Sequence, residues 1–426
     1  MSDSAALNHA AKVLAAISAD RRADTALRFY FEDHRYLQPP ARRAISHAVF
    51  VYFRWLSWLD PKASPQKRLE QAADLHERFT MDSTSLKSEA LAARAVPAWI
   101  WDELSFKSQS GTPANPAVDI SADLSAKASA TVEAVAKPET TAKAEYLRQL
   151  QHDPALWLRA RPGTVAALAK SLFACERTDR APDALRFTGV QDLFKTEQFK
   201  TGEFEIQDLA SQLVGLACAP RPGETWWDAC AGEGGKTLHL ADLMQNKGVV
   251  WATDRHTGRL DTLKRRAARA KLFNYRTALW EGLALSPSTG SARLPTKTKF
   301  DGILLDAPCS GVGTWQRNPH ARWTVTPDDV RELAAAQLAL LNHVAGSLKP
   351  GGRLIYAVCT LTRSETTAVT AAFTAAHPEL EPVALPDIVA GVADPGPGAT
   401  SPATITLWPH ELNANGMFIA AWRRKS

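Results

Sequence analysis

From about residue 220 to the end of the chain, short apolar segments alternate with helical patterns. This alternation is typical of a doubly wound α/β sheet whose strands are mostly parallel. In such sheets, ligands bind beyond the carboxyl ends of the strands, so the residues that follow each strand are the first candidates for a functional site. The predicted strands are 225–230, 249–253, 276–280, 300–305, 352–358, 404–408 and 417–422.

Two of these predicted strands lead directly to cysteines. Asp306 and Cys309 follow the apolar run 302–305, and Cys359 follows the apolar run 354–358. Because the carboxyl ends of parallel strands lie at one edge of a sheet, we expect an acid and two thiols to converge there. A single free cysteine is often only a small buried hydrophobic residue, but two thiols beside a carboxylate favour a chemical role. Thiolates are strong nucleophiles near neutral pH.

A glycine-rich turn, DACAGEGGKT at residues 228–237, lies between the first predicted strand and a helix. Its glycines allow the backbone to turn sharply and to approach a ligand closely. The spacing fits neither the phosphate-binding P-loop nor the GxGxxG pattern. The next predicted strand ends at Asp254, where a carboxylate can bind the two hydroxyls of a ribose. Together the turn and the acid predict a nucleoside cofactor.

Composition restricts the class of protein. A chain of 426 residues with 45% hydrophobic and 22% charged residues is typical of a soluble protein of two or three domains. The net charge of +5 permits a polyanionic partner without requiring one. The five cysteines are scattered without CxxC spacing, which indicates neither disulfides nor zinc and favours a reducing compartment. Since no signal peptide or membrane span is evident, we expect a cytoplasmic protein. We also expect it to be a monomer and to need no metal.

The chain divides into four predicted regions. Residues 1–105 show helical spacing at 5–17, 22–30 and 42–59, and the Arg-bearing helix at 42–59 is either a core helix with a solvated face or an RNA-docking element. Residues 106–143 are rich in Ser, Ala, Thr, Lys and Pro, which predicts a flexible linker or insertion. Residues 144–206 carry short mixed elements, with strands expected near 155–160 and 185–189, and predict a small α/β module. Residues 207–426 form the alternating α/β domain, in which the helix after Asp254 carries a basic face that is either simply solvated or contacts phosphates.

With these motifs in place, the region from about residue 202 to the end resembles the Sun/Fmu (RsmB-type) RNA 5-methylcytosine methyltransferases, which use S-adenosylmethionine. The resemblance rests on EIQDLASQ, DACAGEGGKT, TDRHTGRL, DAPCSGVGTWQRNP, YAVCTLTRSET and NGMFIAAW, which occur in the family's order. It implies a Rossmann-like methyltransferase domain over 207–426 with a mixed, mostly parallel sheet. More weakly, 1–105 resembles the family's helical NusB-like domain and 144–206 its RNA-recognition-like module.

The resemblance also implies roles for individual residues. Cys359 matches the nucleophile and Cys309 the cysteine that assists product release, while Asp306 is suited to stabilise charge that develops at N3 of cytosine. The chain departs from the family pattern at Glu233, where proline is usual, at Val358-Cys359-Thr360, where Thr-Cys-Ser is usual, and at 280–282 (WEG), where an aspartate is usual. The residues expected to bind the cofactor are Cys230, Ala231, Gly232, Glu233, Gly234, Gly235, Lys236, Asp254, Glu281 and Asp306.

The resulting hypothesis is methylation of C5 of cytosine in RNA through a covalent bond between Cys359 and C6, with ribosomal RNA favoured over transfer RNA. A DNA cytosine methyltransferase, in which the nucleophile follows a proline as Cys309 follows Pro308, would carry the motif PCQ and leave Cys359 unexplained. A small-molecule methyltransferase is disfavoured by the two RNA-type modules. A non-catalytic RNA-binding ribosome-assembly factor stays open because of Glu233 and Val358.

Overall fold

The computed structural model describes residues 3–18, 20–106, 138–282, 298–393 and 402–426. Its helices are α1 Asp3–Ala15, α2 Ala23–Asp33, α3 Pro39–Arg54, α4 Pro65–Met81, α5 Ser88–Arg94, α6 Pro138–Gln149, α7 Val165–Ser171, α8 Glu197–Lys200, α9 Leu209–Cys218, α10 Gly235–Leu243, α11 Thr257–Arg269, α12 Pro327–Ala345, α13 Thr367–Ala376, α14 Asp387–Ala390 and α15 Pro409–Leu412. Its strands are β1 Leu156–Ala160, β2 Cys175–Arg177, β3 Ala184–Phe187, β4 Phe204–Ile206, β5 Thr225–Asp228, β6 Val249–Asp254, β7 Tyr275–Leu279, β8 Phe300–Asp306, β9 Leu348–Val358, β10 Leu380–Pro382, β11 Thr404–Leu407 and β12 Met417–Arg424.

The larger sheet has eight strands in the order β10-β12-β9-β8-β5-β6-β7, with β11 paired to β12. Strands β9, β8, β5, β6 and β7 are parallel, whereas β12 runs antiparallel to β9, β10 and β11. The mixed, mostly parallel sheet and all seven predicted strands are therefore confirmed. Strand β10 escaped prediction because three residues are too short to show an alternating pattern.

Helices cover both faces of this sheet, which explains the continuous apolar character of its central strands. In β8, Ile303 and Leu305 pack into one buried cluster, whereas Leu304 packs into the cluster on the opposite face. Gly302 leaves room for a tryptophan on the neighbouring strand, since a Cβ atom there would lie 2.2 Å from the ring of Trp226. The strand that ends at the acid-and-cysteine motif is thus fixed from both sides.

The small module has a four-stranded antiparallel sheet in the order β2-β3-β1-β4. Leu158 and Leu185 pack with Val165 and Leu168 of α7 on one face, while Trp157 belongs to the core of the larger domain on the other. The predicted α/β character and the strands near 155–160 and 185–189 are confirmed. Its likeness to an RNA-recognition module stays a prediction.

The predicted boundary between linker and module at residue 143 is wrong, because α6 begins at Pro138 and continues to Gln149. Tyr146 and Leu147 of this helix, followed by Leu150, are buried in a cluster that contains Ile100 and Trp408. The helix therefore belongs to the packing between the N-terminal region and the larger domain. Its first turn is polar, which concealed it in a polar stretch; residues 107–137 of the predicted linker lie outside the described residues.

The N-terminal region is helical as predicted, with α1, α3 and α4 packed around Val13, Ile45, Val49 and Phe79. The predicted helix at 42–59 instead ends at Arg54 and is followed by a short 3-10 turn. Arg54 was expected on a solvated face, but only 1% of its surface is exposed. Its guanidinium donates to Asp153 at 2.7 Å, so the charge is buried because it has a carboxylate partner.

The N-terminal region docks on the segment that follows Cys309. Arg322 of this segment donates to the carbonyl oxygens of Ala95 at 2.8 Å and Leu150 at 3.0 Å. Trp323 donates to the carbonyl oxygen of Phe53 at 2.7 Å. The same segment therefore carries a candidate catalytic cysteine at its start and holds the helical region near its end. Within the described residues, no helix is both long enough and apolar enough to cross a membrane.

Candidate active site

The two cysteines meet where β8 and β9 end side by side. These strands pair in parallel with Asp306 opposite Ala357, so the turns after them lie at the same edge of the sheet. The Sγ atoms of Cys309 and Cys359 are 3.3 Å apart, and both residues are free thiols of intermediate exposure. The predicted convergence of the two thiols is what the structure shows.

The surroundings make the two thiols unequal. A hydrogen bond from Cys309 lowers the pKa of Cys359; burial and Asp306 oppose this effect, whereas the positive charges of Lys236 and Arg317 reinforce it. The same hydrogen bond and burial raise the pKa of Cys309 well above its usual value. A thiol with a lowered pKa reaches the thiolate form more readily, and the thiolate is the form that acts as a nucleophile, so these pKa directions favour Cys359 for attack.

Asp306 forms an ion pair with Lys236, whose Nζ lies 2.7 Å from a carboxylate oxygen. Burial alone would lower the pKa of Lys236, but the paired carboxylate raises it, so the lysine is charged. Lys236 was expected to hold the cofactor, and this role stays a prediction; in the structure the lysine pairs with the acid that precedes Cys309. This pairing orients Asp306 and places a positive charge near Cys359.

Glu365 is a fully buried carboxylate that the sequence analysis did not single out. One oxygen accepts hydrogen bonds from Ser310 N at 2.8 Å and Gln337 Nε2 at 3.0 Å. The other accepts from Thr360 Oγ1 at 3.0 Å, from Thr362 Oγ1 at 2.8 Å and from Ser310 Oγ. Because Ser310 follows Cys309 and Thr360 follows Cys359, this one carboxylate ties the two cysteine turns together.

A close approach of two glycines fixes the turn after Cys309 from the other side. Gly416 N donates to Gly313 O at 2.7 Å, and a Cβ atom on Gly313 would lie 2.1 Å from Gly416 O. Gly313 N in turn donates to the carbonyl oxygen of Cys359 at 3.1 Å. Larger residues at either glycine would push the turns that carry the cysteines apart.

A cavity of about 590 Å³ opens beside Asp306 at the carboxyl ends of β5, β6 and β8, a volume within the usual range for small-molecule sites. Seven of the ten residues expected to bind the cofactor line it, whereas Gly234, Gly235 and Lys236 do not. The lining residues are Ala229, Cys230, Ala231, Gly232, Glu233, Asp254, Arg255, Arg259, Trp280, Glu281, Gly282, Asp306, Ala307, Pro308, Ala336 and Leu340.

Asp254 lies at the centre of this cavity wall with 6% of its surface exposed. Its carboxylate accepts hydrogen bonds from Gly232 N at 3.1 Å and His256 N at 2.8 Å. Two backbone donors hold the side chain in one orientation and leave further acceptor capacity for the hydroxyls of a ribose. The expected role of Asp254 therefore fits its place in the structure.

The lining of the cavity includes the apolar residues Trp280, Leu340 and Pro308 as well as Glu281. The Trp280 ring packs edge-on against Trp227, with ring centroids 5.1 Å apart. A flat apolar wall with one carboxylate beside it suits a purine ring. Trp280 was noted in the sequence only as a departure from the usual aspartate, although an aromatic residue directly after a strand is a usable signal.

Asp228 lies behind the glycine-rich turn and is fully buried. Thr237 Oγ1 donates to one of its oxygens at 2.6 Å, while the other oxygen has no hydrogen-bond partner among the described residues. Burial raises the pKa of Asp228 to about 7, although the bond from Thr237 opposes the shift. A carboxyl group that is partly protonated near neutral pH thus supports the turn.

The basic helix α11 has a structural role on part of its surface. Arg266 and Arg269 form ion pairs with Glu205 of the small module at 2.9 and 2.5 Å, and Arg266 also donates to Glu233 O at 2.9 Å. The interpretation as a simply solvated basic face is therefore wrong for these two arginines. They attach the small module to the cofactor side of the larger domain.

Among the described residues, one group has metal-ligand spacing, formed by His47, His76 and Asp153 in and beside the helical region. Trp55 Nε1 donates to His76 Nδ1 at 3.4 Å, so the ring proton of His76 lies on Nε2 and points to Asp153 at 3.4 Å. His47 and Arg54 contact the same carboxylate at 3.0 and 2.7 Å. We interpret this group as a hydrogen-bonded cluster that anchors Asp153.

The parallel sheet, the glycine-rich turn and the acid at the end of the following strand define a Rossmann-like methyltransferase fold. The crystal structure of PH0851 has this fold with a TM-score of 0.70 at 22% identity, and the match covers 99% of this chain and 98% of that one. A methyltransferase homologue from Pyrococcus horikoshii matches with a TM-score of 0.54 at 26% identity over 66% of this chain and 90% of its own.

Residues 215–423 match the family described as 16S rRNA methyltransferase RsmB/F. The methyltransferase domain of this chain, over the matched residues, belongs to this family. The chain is 36% identical over 259 residues to the probable ribosomal RNA small subunit methyltransferase B of Bacillus subtilis (strain 168), a match that covers 59% of this chain and 54% of the relative. It is 34% identical over 296 residues to the protein of that name from Synechocystis sp., covering 67% of this chain and 63% of the relative. The matched part thus spans between about half and two thirds of these relatives.

Proposed function

We propose that this protein transfers a methyl group from S-adenosylmethionine to C5 of a cytosine in RNA, with Cys359 as the nucleophile. The observation that carries the proposal is the pair of thiols 3.3 Å apart at the carboxyl ends of β8 and β9, where their mutual hydrogen bond lowers the pKa of Cys359 and raises that of Cys309. Such a pair is suited to a reaction that needs one sulfur to attack and a second group to help end the covalent stage. A protein that only binds RNA would need neither an attacking sulfur nor a second group that helps to break the covalent bond.

The cavity residues fit the proposed cofactor. Asp254 would bind the ribose hydroxyls, Trp280 and Leu340 would enclose the purine, and Gly232 would bring the backbone close to the ligand. When bound, S-adenosylmethionine supplies an electrophilic methyl group on its sulfonium. Asp306 lines the cavity, pairs with Lys236 and ends the strand that leads to Cys309.

Cytosine C5 becomes nucleophilic only after a thiolate adds to C6. In the proposed reaction, Cys359 forms a bond to C6 while the electrons of the C5–C6 double bond shift through the ring to N3, which takes up a proton from water. The Asp306 carboxylate, held by Lys236, then accepts a hydrogen bond from N3–H. The bound cofactor would supply the methyl group that C5 accepts. Loss of the protons from C5 and N3 to water and cleavage of the S–C6 bond restore the aromatic base and the Cys359 thiolate, with Cys309 assisting release. The base must be flipped out to expose both faces of the C5–C6 bond.

Ribosomal RNA is the proposed substrate, supported by the description of the family and by the names of the two relatives. Transfer RNA is the alternative. Bisulfite sequencing of total RNA from a deletion strain distinguishes the two, because the cytosine that becomes convertible lies in one RNA or the other. We also propose a reducing, cytoplasmic setting, since the reaction needs both cysteines as free thiols.

The central experiment compares Cys359→Ala with Cys309→Ala after incubation with RNA and cofactor. Cys359→Ala cannot form a covalent adduct and should lose methyl transfer. Cys309→Ala can still attack and methylate but should release the product slowly, so an adduct stable on a denaturing gel should accumulate in this variant alone.

Three other outcomes would contradict the assignment. An adduct in Cys359→Ala alone would make Cys309 the nucleophile, as in the DNA-type alternative. Absence of any adduct with activity retained in both variants would return the cysteines to a packing role. Absence of cofactor binding by the wild-type protein in calorimetry would favour a non-catalytic RNA-binding protein.

A further inference from the structure

One face of the small module's sheet is used to attach the module to the larger domain. Arg159 of β1 forms an ion pair with Asp242 at 2.6 Å, and both side chains are buried. Trp157 of β1 donates to Asn413 O at 2.9 Å, and Glu205 of β4 holds two arginines of α11. Helix α7 covers the other face. The first face is therefore covered at β1 and β4, while Arg186 of β3 and Glu176 of β2 form an ion pair with each other at 2.6 Å.

The module instead exposes apolar side chains at one end. Phe173, Val190 and Phe194 have 85%, 91% and 63% of their surfaces exposed. Their chain neighbours Leu172 and Leu193 are buried in the same small core, which brings the two phenylalanines to the rim of one cluster. Hydrogen bonds from Thr188 N to Ala174 O at 2.9 Å and from Gln198 Nε2 to Ser171 O at 3.2 Å connect the segments. We call the residues Lys170, Phe173, Val190, Phe194 and Lys195 the module tip.

The module tip carries two lysines that can contact phosphates. Lys170 and Lys195 are exposed and form no ion pair among the residues that the structure describes. The nearby acids are already engaged, because Asp192 accepts a hydrogen bond from Phe194 N at 3.2 Å and Glu197 pairs with Lys200 at 2.6 Å. The module tip thus offers a ligand two exposed aromatic rings and two lysines that have no ion-pair partner among the described residues.

We propose that the module tip binds single-stranded RNA, with bases stacked on Phe173 and Phe194 and phosphates near Lys170 and Lys195. Aromatic rings for stacking combined with cations for the backbone are the means by which proteins hold unpaired nucleotides. A purely apolar protein partner would not require the lysines. The inference rests on the proposed function in RNA methylation and adds a contact surface separate from the active site.

The test measures equilibrium binding of a fluorescein-labelled single-stranded RNA of mixed sequence by anisotropy, using the full-length protein. The double variant Phe173→Ala/Phe194→Ala should bind at least about tenfold more weakly than wild type, because each stacked base contributes substantially to affinity. Phe273→Ala is the matched control, since Phe273 is 71% exposed but lies outside the module tip. This control should bind RNA like the wild type.

The lysines provide a second measurement on the same RNA. The variant Lys170→Gln/Lys195→Gln should reduce the slope of log affinity against log salt by about 0.7 for each phosphate that the protein no longer neutralises. Cofactor binding by calorimetry should be unchanged in every variant, which shows that the fold is intact.

If both the affinity of the phenylalanine variant and the salt slope of the lysine variant equal those of wild type, the tip does not bind RNA and the proposal is wrong. A different result would separate the two proposals. If the wild type does not transfer a methyl group but the tip variants lose RNA binding, the proposed reaction is wrong and the proposed RNA-binding role of the module tip still holds.

Discussion

At the scale of single residues, the site depends on a buried carboxylate that does not face the cavity. Glu365 receives five hydrogen bonds from the turns after both cysteines and from α12. A buried charge is tolerated only when donors surround it, and here the donors are the backbone and hydroxyl groups that set the positions of the thiols. Glu365 is therefore a positioning residue, acting through the two cysteine turns.

We predict that Glu365→Gln both destabilises the protein and impairs the positioning of the two thiols. The amide turns one acceptor into a donor and leaves buried donors without partners, which should lower the free energy of unfolding by about 2–4 kcal/mol. Adduct formation in the Cys309→Ala background should slow by at least about tenfold, since small displacements of reacting groups are costly. Urea denaturation and gel quantification measure the two effects.

The matched control for this variant is Glu332→Gln, because Glu332 is an exposed residue of α12. It should change neither quantity. Unchanged adduct kinetics in Glu365→Gln would show that the hydrogen-bonded turns are not what positions the thiols.

Asp228 predicts an unusual dependence of stability on pH. Its pKa is raised from 3.8 to about 7 by burial, so the native state binds the proton more tightly than the unfolded chain between these values. Stability contributed by this group is therefore lost as pH rises from about 4 to about 7. Asp228→Asn cannot ionise, and its stability relative to wild type should increase by on the order of 2–3 kcal/mol between about pH 5 and about pH 8. Denaturant unfolding at both pH values checks this, and a pH-independent difference between the proteins would contradict it.

At the scale of secondary-structure elements, α12 has a start that the sequence already specifies. Thr326 accepts a hydrogen bond from Asp329 N at 3.2 Å, Asp329 accepts one from Thr326 N at 2.8 Å, and Pro327 occupies the first turn. These two reciprocal hydrogen bonds form a capping box. It fixes the beginning of the helix that brings Leu340 to the cofactor cavity and Gln337 to Glu365.

We expect Thr326→Ala to lower the free energy of unfolding by about 1 kcal/mol, because the mutation removes the cap from the first turn of α12. Thr367→Ala is the comparison, since Thr367 is exposed at the start of α13 and its side chain makes no hydrogen bond among the described residues. Thermal unfolding should give the lower midpoint for Thr326→Ala. Equal stability of the two variants would show that the cap adds little to this helix.

At the scale of the whole molecule, the helical region, the small module and the larger domain are joined through buried arginines. Arg322 has no exposed surface and donates to carbonyl oxygens of Ala95, Leu150 and Trp315. Burial lowers its pKa to about 9, yet it holds three segments that are distant in sequence. The position of the segment after Cys309 therefore depends on how the N-terminal helices pack against it.

We predict that Arg322→Met destabilises the protein by on the order of 3 kcal/mol, because the side chain fills a similar volume but leaves several buried carbonyl groups unpaired. The loss should appear first as faster proteolysis of the N-terminal region. Arg331→Met serves as control, since Arg331 is exposed and, within the described part of the chain, forms an ion pair with Asp328 alone, on its own helix. If both variants resist protease equally, the arginine contacts do not join the regions.

The sequence by itself determined the order of strands and helices in the larger domain, the ends of β6, β8 and β9, and the residues that lie beyond those ends. This succeeded because hydrophobic periodicity, helix caps and glycine-rich turns are local properties of neighbouring residues. The convergence of Cys309 and Cys359 followed from the single rule that parallel strands share one edge.

Only the tertiary structure decided which surfaces meet. It paired Lys236 with Asp306, buried Arg54 against Asp153, and gave Glu365 its donors from two turns and a helix. The same long-range packing buried α6 despite its polar first turn and covered the sheet face of the small module. These partners are distant in sequence. The free energy of each contact depends on both partners being buried together, and a local sequence pattern carries no information about this.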